Sequence, residues 1–525
     1  MKISVGFLLL VVGLEVVAAK LDKIRLDSHG NFVDQQGRVM LFHGFNAVTK
    51  NPPWYPEEMT NTTKLKLWQS WGINVVRLGV IWTGVMPTKG YVDKNYMKKI
   101  GEIIDLCAQY DIYVLVDMHQ DALSSEFGMY DGIPRWLVDE ACKTPWWFRY
   151  PWPYWSRPSE RYWFKNYLTY SCVNCAQQMY ENTSGIWTYW GDYWETVAKA
   201  FSNRSNVIGY ELINEPVTGN FYKDPRRALP AYMGRHYLLP VYDYLVNRIR
   251  KVDTETLIFY EPLTYAIFFR PTIFGSGTGF SRVPGLLTDP EAVRKSVLSY
   301  HYYCWLFQLA DLSRNMTFIE RAICDMYLIP ASFENSARAV KQTGGGRFLT
   351  EFGFCGPDGN PKSINTIECS NVLNQADKHF QSWTYWDGNF FDVSGNPIQT
   401  HLNAFSRVYP LRTLGAPIRY SFDPSTANFS YSFHLSSIET KQDLLVADIF
   451  VPVHVHYPKT LVPQVLPTWL NVTLDGNHLK VVAPAGTKQT SSKVSVSISK
   501  SRCPAGQAVF DGHSGVLGRC VKTTD

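Results

Sequence analysis

Eight short apolar runs recur between residues 39 and 387: VMLFH (39–43), NVVRLGV (74–80), IYVLVDM (112–118), VIGYELI (207–213), TLIFYE (256–261), SVLSYHY (296–302), RFLTE (347–351) and SWTYWD (382–387). Most are separated by stretches with the three-to-four-residue apolar spacing of an amphipathic helix, such as YMKKIGEIIDLCAQY (96–110), HYLLPVYDYLVNRIRKV (236–252) and VLNQADKHFQ (372–381). A strand covered on both faces is apolar along its whole length, and eight β-then-α units close on themselves. The pattern therefore predicts an α/β fold, a (β/α)8 TIM barrel, over residues 20–412.

After residue 412 the period changes to two. SYSFHLS, DLLVADIFV, WLNVTLDG, HLKVVAP and KVSVSISK alternate apolar and polar positions with turn residues between them and no helical stretch. This predicts an antiparallel β-sandwich over residues 413–525. Such a module either binds carbohydrate or covers one flank of the barrel.

The first 19 residues, MKISVGFLLLVVGLEVVAA, place Lys2 before an apolar stretch and end on small residues. That is the shape of a secretory signal cut after Ala19, and it is short for a membrane span. The mature chain is expected to be secreted, into the extracellular space or a digestive or lysosomal lumen. Six Asn-x-Ser/Thr sequons agree with export, at Asn61, Asn182, Asn203, Asn315, Asn428 and Asn471, and each predicts a surface position. In that setting the ten cysteines read as disulfides, with Cys503 and Cys520 as a local pair. The C-x-x-C at Cys172 and Cys175 has no second pair or nearby histidine at ligand spacing, and His454 and His456 in VHVHY read as surface residues on one strand face. No metal and no cofactor are expected.

Lys and Arg number 51 against 46 Asp and Glu, a net charge of +5 without a basic block, so the charge pattern asks for neither nucleic acid nor an anionic membrane partner. Aromatic content is the departure from average: 15%, with 17 Trp and 31 Tyr, which suits ring platforms for sugars as well as an aromatic core.

In a barrel of this kind reactive groups sit where strands end, on the C-terminal face. Glu215, in YELINEPVTGNF, follows the fourth apolar run, and Glu351, in RFLTEFGFCG, ends the seventh. Both are thereby aimed at one cleft. Two facing carboxyls are the minimal machinery for glycoside cleavage: one protonates the departing oxygen and the other attacks the anomeric carbon or activates water.

Taken with Arg77 in NVVRLG, His119 in DMHQD, Asn214 in NEP, His301 and Tyr303 in YHYY, and Trp386 in WTYWD, this order of motifs resembles glycoside hydrolase family 5 from residue 37 to about 412. Within that family, HGFNAVTK, VDMHQDALS and the C-terminal sandwich are similar to the endoglycoceramidases, which release an intact oligosaccharide from ceramide. The resemblance implies Glu215 as acid/base and Glu351 as nucleophile of a retaining pair, with carboxyls ~5 Å apart. It further implies Arg77 and Tyr303 as partners of Glu351, and Asn214 at the sugar 2-hydroxyl. His301 is a supporting residue. Lys50, His119, Asp121 and Trp386 would hold the sugar beside the scissile bond, and Trp190, in the tryptophan-rich YWGDYW, is a further candidate platform.

Two insertions bear on the aglycone. Twelve of the residues from 145 to 170 are aromatic, and YAIFFRPTIFGSG (265–277) follows the fifth run. Apolar loops over an active face need something to cover, and a lipid slot fits them, as does a self-packed lid or a polysaccharide cleft. The expected partner is a glycosphingolipid met by a monomer, with transient contact to micelles or a membrane surface. An endo-β-1,4-glucanase, an enzyme acting on glucosylceramide or steryl glucosides, and a non-catalytic glycan- or lipid-binding barrel stay open as alternatives.

Overall fold

The computed structural model describes residues 21–270, 277–458, 461–500, 508–510 and 517–519. The expected signal segment, Cys503, Cys520 and residues 271–276 of the second insertion lie outside them. No helix among the described residues is long and apolar enough to cross a membrane.

Eight parallel strands close into a barrel: β1 His43–Ala47, β2 Val75–Gly79, β3 Tyr113–Asp117, β4 Val207–Glu211, β5 Leu257–Tyr260, β6 Ser296–Tyr302, β7 Gly346–Phe352 and β8 Trp383–Tyr385, with β8 pairing back onto β1. Their side chains are almost all buried, as expected for strands with helices outside and a packed interior within. The helix Lys94–Gln109 shows how one side of this wall forms. Asp93 caps its N-terminus by accepting from the N–H groups of Asn95 and Tyr96, and Tyr96, Met97, Ile100, Ile103, Ile104 and Cys107 turn one buried stripe toward the strands.

The first strand departs from the expectation. Val39 and Met40 pair with Thr413 and Arg412 in the second domain, and the barrel strand begins at His43. A strand containing Gly44 and Asn46 carries a weak apolar signal, but the position demands glycine, because a Cβ on Gly44 would lie 1.8 Å from the Val75 carbonyl oxygen. The short strands Arg25–Leu26 and Phe32–Val33 continue into the same sheet as Val39–Met40, and Phe32 closes the barrel floor. Its ring sits 5.5 Å from Phe42, 6.3 Å from Phe259 and 5.9 Å from Phe348.

The C-terminal domain is two facing antiparallel sheets. Tyr409–Thr413, Leu444–Phe450, His478–Ala483 and Asn471–Asp475 extend the N-terminal strands into a seven-stranded sheet. The opposing sheet orders Ala416–Asp423, Asn428–Leu435, Ser492–Ser499 and Val462–Leu466. Alternate residues such as Phe429, Tyr431, Phe433, Val494, Val496 and Ile498 fill the space between them. VHVHY is not a strand: Val453–His456 forms one helical turn, and buried His456 lies with Nε2 2.7 Å from the Ser406 carbonyl.

Three disulfides lie among the described residues: Cys142–Cys175 across the aromatic insertion, Cys304–Cys324 after β6 and Cys355–Cys369 after β7. Cys107 and Cys172 are free and buried, which corrects the expectation that every cysteine is paired. All six sequon asparagines are exposed.

Arg407 joins the two domains. Fully buried, it donates to Asp377 on the barrel helix Ile364–Lys378 and, at 3.0 Å, to the Phe422 carbonyl of the sandwich. Removing one member of such a pair leaves an uncompensated buried charge. Arg407→Ala is expected to lower unfolding free energy by ~3–5 kcal/mol in urea denaturation, with the pH profile of the remaining native enzyme unchanged.

Candidate active site

The barrel interior changes character from floor to mouth. Val75, Tyr113, Phe259 and Val297 form an apolar lower layer, and two to four residues farther along the same strands come Arg77, Asp117, Glu261 and His301. Glu211 at the end of β4 and Glu351 on β7 join this upper layer, which is polar and almost without solvent exposure.

Arg77 is its centre. Nε donates to Glu211 at 2.5 Å, Nη1 to Asn46 at 2.9 Å and to Glu351 Oε2 at 3.1 Å, and Nη2 to Asn214 at 2.9 Å while lying 3.1 Å from Asp117. Burial alone would disfavour the cation, but Asp117, Glu211 and Glu351 outweigh it and raise its pKa. The second Glu351 oxygen accepts from the Tyr303 hydroxyl at 2.7 Å. Both Glu351 oxygens are thus held by donors, one from within β2 and one just beyond β6.

Glu215 stands opposite. It has φ 39°, a left-handed conformation costing ~1 kcal/mol for a residue with a side chain. Its N–H donates to Glu261 Oε2 at 2.8 Å, and Gln120 Nε2 donates to the carbonyls of Asn214 and Glu215 at 2.7 and 2.9 Å. Asn214 Nδ2 donates to the Gln120 carbonyl at 2.9 Å, which leaves its other hydrogen for a ligand. Glu215 Oε1 lies 3.0 Å from His301 Nδ1. Burial first, and the Asp121 carboxylate second, push the Glu215 carboxyl up to about 7. Burial also lowers His301 to about 4, so the imidazole is neutral. Oxygens of Glu215 and Glu351 and a nitrogen of His301 all lie within 4.8 Å of one another. Glu211, Glu261 and His301 form a second such cluster, and the Arg77 guanidinium beside both opposes a metal cation there.

Part of the cleft is a charged, ring-lined compartment. Lys50 Nζ is 2.5 Å from Asp121 Oδ2 and sits 4.4 Å from the Trp386 ring centre, with Tyr130 at 4.9 Å. Asp121 outweighs burial and raises the Lys50 pKa, while burial of Asp121 is outweighed by Lys50 and His119, which lower it. His119 stacks on Trp386 at 5.6 Å and 11°, and its Nδ1 is 2.7 Å from Asp117. Tyr167, from the aromatic insertion, donates to Asp121 at 3.2 Å.

The rest of the lining is mostly apolar: Phe164 and Leu168 from the first insertion, Tyr265 and Phe268 from the second, with Val217, Trp305 and Phe354. Together the compartments form one cavity of about 600 Å³ containing Glu215 and Glu351.

Of the sequence-derived candidates, Lys50, His119, Asp121, Glu215, Tyr303, Glu351 and Trp386 line this cavity, and Arg77, Asn214 and His301 lie directly beneath it. Trp190 does not belong with them. It is fully buried in the helix Ile186–Phe201, stacks on Trp82 and donates Nε1 to Met118 Sδ at 3.0 Å, so it packs the barrel wall. Asn46, Asp117, Glu211 and Glu261 were not singled out by the sequence. Their signal was a charged or amide residue within or closing an otherwise apolar run, as in YVLVD, VIGYE and LIFYE.

Comparison with known proteins follows the same division. Residues 33–392 match the family described as Cellulase (glycosyl hydrolase family 5), and residues 407–498 match the Glycoside hydrolase family 5 C-terminal domain. The chain is 31% identical over 500 residues to an endoglycoceramidase of Cyanea nozakii, an alignment spanning 88% of this chain and 92% of that one. Its fold is that of endo-glycoceramidase II from Rhodococcus sp., solved as a lactosyl-enzyme intermediate (TM-score 0.67, 20% identity) and as a ganglioside GM3 complex (TM-score 0.68, 19% identity), each over 89% of this chain and 99% of that one. With the family matched over most of its length and both carboxyls facing one cleft, this chain belongs to glycoside hydrolase family 5.

Proposed function

We propose that this protein is a secreted, retaining endo-glycosidase that cleaves the β-glycosidic bond between the oligosaccharide and the ceramide of glycosphingolipids. The observation that carries the reading is one cleft that holds Glu215 and Glu351 and joins a charged, ring-lined part, with Lys50, His119, Asp121 and Trp386, to a mostly apolar lining. A cellulose chain carries hydroxyls on both sides of the bond to be broken and offers no alkyl chain to a lining that includes Leu168, Val217 and Phe268. The similarity to the Cyanea nozakii endoglycoceramidase, and to a fold solved with ganglioside GM3, supports the same substrate class.

The reaction follows from the geometry. Glu351, held by Arg77 and Tyr303, attacks the anomeric carbon while protonated Glu215 gives its proton to the ceramide oxygen as the carbon–oxygen bond breaks. Water then enters the vacated side, Glu215 takes its proton, and hydroxide displaces Glu351 with the β configuration restored. The short separation of the two carboxyls supports this route, since an inverting pair needs room for a water between them. Lys50, Asp121, His119 and Trp386 would hold the sugar beside the scissile bond by hydrogen bonds and stacking.

Glu351→Gln is expected to abolish turnover with folding retained, and a 2-fluoro glycoside should label Glu351 in the wild type on peptide mapping; a label elsewhere would overturn the nucleophile assignment. Glu215→Gln should lose at least ~100-fold on a lipid glycoside but far less in the glycosylation step with a dinitrophenyl glycoside, and azide should restore part of its turnover.

The pH dependence has a definite sign. Glu215 must be protonated to act as acid, and its pKa is raised to about 7, so the alkaline limb of a bell-shaped kcat/KM profile should fall as pH rises through that value. Glu215→Gln should remove this alkaline limb when measured on the dinitrophenyl glycoside. If the limb stays in place, another group controls it.

The lipid half is tested with an intact ganglioside, its lyso form and cellopentaose at equal concentration in mild detergent, with products identified by mass. Expected is release of whole oligosaccharide and ceramide, with lower kcat/KM on the lyso form, because each buried methylene contributes ~0.8 kcal/mol. Faster cleavage of cellopentaose, or stepwise loss of terminal sugars, would reject the glycolipid reading while leaving the carboxyl pair intact.

A further inference from the structure

Glu261 closes β5 directly beneath the acid/base, with no solvent exposure and no role in the reaction as written above. Its Oε2 accepts the Glu215 N–H at 2.8 Å, and its Oε1, without a hydrogen-bond partner, lies 3.6 Å from the same His301 Nδ1 that stands 3.0 Å from Glu215 Oε1. The strand end itself is fixed, because the Tyr242 hydroxyl donates to the Glu261 carbonyl at 2.7 Å. Glu215 occupies a left-handed conformation that no glycine eases, so something outside its own chain segment must select it. The Glu261 carboxyl makes a side-chain hydrogen bond to that peptide's N–H, while Gln120 holds the carbonyls on either side of it.

We propose that Glu261 is the positioning residue of the general acid: its side-chain oxygen holds the Glu215 peptide in the left-handed conformation that aims the Glu215 carboxyl at the leaving-group oxygen. This rests on the acid/base role of Glu215. Burial, together with the nearby Glu215 and Glu211 carboxylates, pushes the Glu261 pKa well above its ordinary value, which favours the neutral acid as the anchor. Neutrality suits the task. A charged carboxylate there would repel Glu215 at the moment it gives up its proton, whereas a neutral carboxyl accepts the N–H equally at both stages. A carboxamide has the same reach and the same acceptor, and an aspartic acid keeps the carboxyl but falls one methylene short.

The test uses aryl β-glycosides whose phenol leaving groups range from dinitrophenol to unsubstituted phenol, compared through kcat/KM, with circular dichroism and melting temperature as controls. Glu261→Gln should stay within about threefold of wild type across the series. Glu261→Ala and Glu261→Asp should lose about 100-fold with the poorest leaving group and under about fivefold with dinitrophenol, steepening the dependence on leaving-group pKa, which is the signature of a misplaced acid. Azide should rescue neither, since Glu215 is still present to guard its face. Should the alanine variant not fold, the glutamine and aspartate variants decide the matter. Equal loss across the series in Glu261→Asp, or a Glu261→Gln as impaired as Glu261→Asp, would overturn the proposal and leave Glu261 a packing residue. A wild-type enzyme that shows no leaving-group response to Glu215→Gln would instead refute the acid/base role on which the proposal stands, and would do so independently of the Glu261 variants.

Discussion

One buried cation organises the reactive end of this barrel. Arg77 has no solvent and reaches Asn46, Asp117, Glu211, Asn214 and Glu351, so it links residues carried by β1, β2, β3, β4 and β7. A guanidinium in a dry site is costly unless every donor is used with good geometry, and its planar fork lets one side chain orient several acceptors at once. The position of Glu351 therefore follows from the placement of four other strands rather than from its own rotamer. Counting charge exposes the other half of the constraint. Six carboxyls, of Asp117, Asp121, Glu211, Glu215, Glu261 and Glu351, crowd around only Arg77, Lys50 and His119 as candidate cations. Crowding of this kind in a low-dielectric site disfavours full ionisation, and burial pushes the Glu215 and Glu261 carboxyls upward. The raised Glu215 carboxyl is thus a product of burial and charge balance across the whole layer.

The strands were legible because a wall covered on both faces is written in continuous apolar residues, and seven of the eight runs coincide with barrel strands to within a few residues. The eighth, at the N-terminus, misled: VMLF belongs partly to the sandwich sheet and to the barrel floor, while the true strand HGFNA is thinned by a glycine that close packing requires. The carboxyl pair was legible because strand ends concentrate chemistry. Asp117, Glu211 and Glu261 were less so, since a charge inside or closing an apolar run is equally consistent with a salt bridge, and nothing local says that Arg77 or Glu215 awaits it. Trp190 failed for the converse reason: in YWGDYW every ring looks like a platform, and only helical phase decides which face the wall.

The aromatic insertion serves both halves of the cleft, which its composition alone did not reveal. Tyr167 bonds to Asp121 in the polar compartment while Phe164 and Leu168, from the same short turn, face the apolar one. Trp163 lies 5.7 Å from the Lys50 ammonium. Its base is held by Cys142–Cys175 and by packing of Phe148 on Tyr170 at 4.7 Å. A segment tied at its root thus contributes both polar and apolar side chains to the one cavity that holds the carboxyl pair.

The same logic extends to the far end of the molecule. The N-terminal strands pair with the sandwich sheet, yet Phe32 between them seals the barrel floor against Phe42, Phe259 and Phe348. Phe259 lies on β5 two residues before Glu261, and Phe42 immediately precedes β1, which carries Asn46. Since cores packed to native density resist small displacements, the floor defines the height of those strands and hence of the residues that orient Glu215 and Arg77. The N-terminal strands, paired with the sandwich sheet, thereby support the reactive layer from the opposite end of the barrel: they hold the strands in register so that Arg77 and Glu261 can each meet their partners.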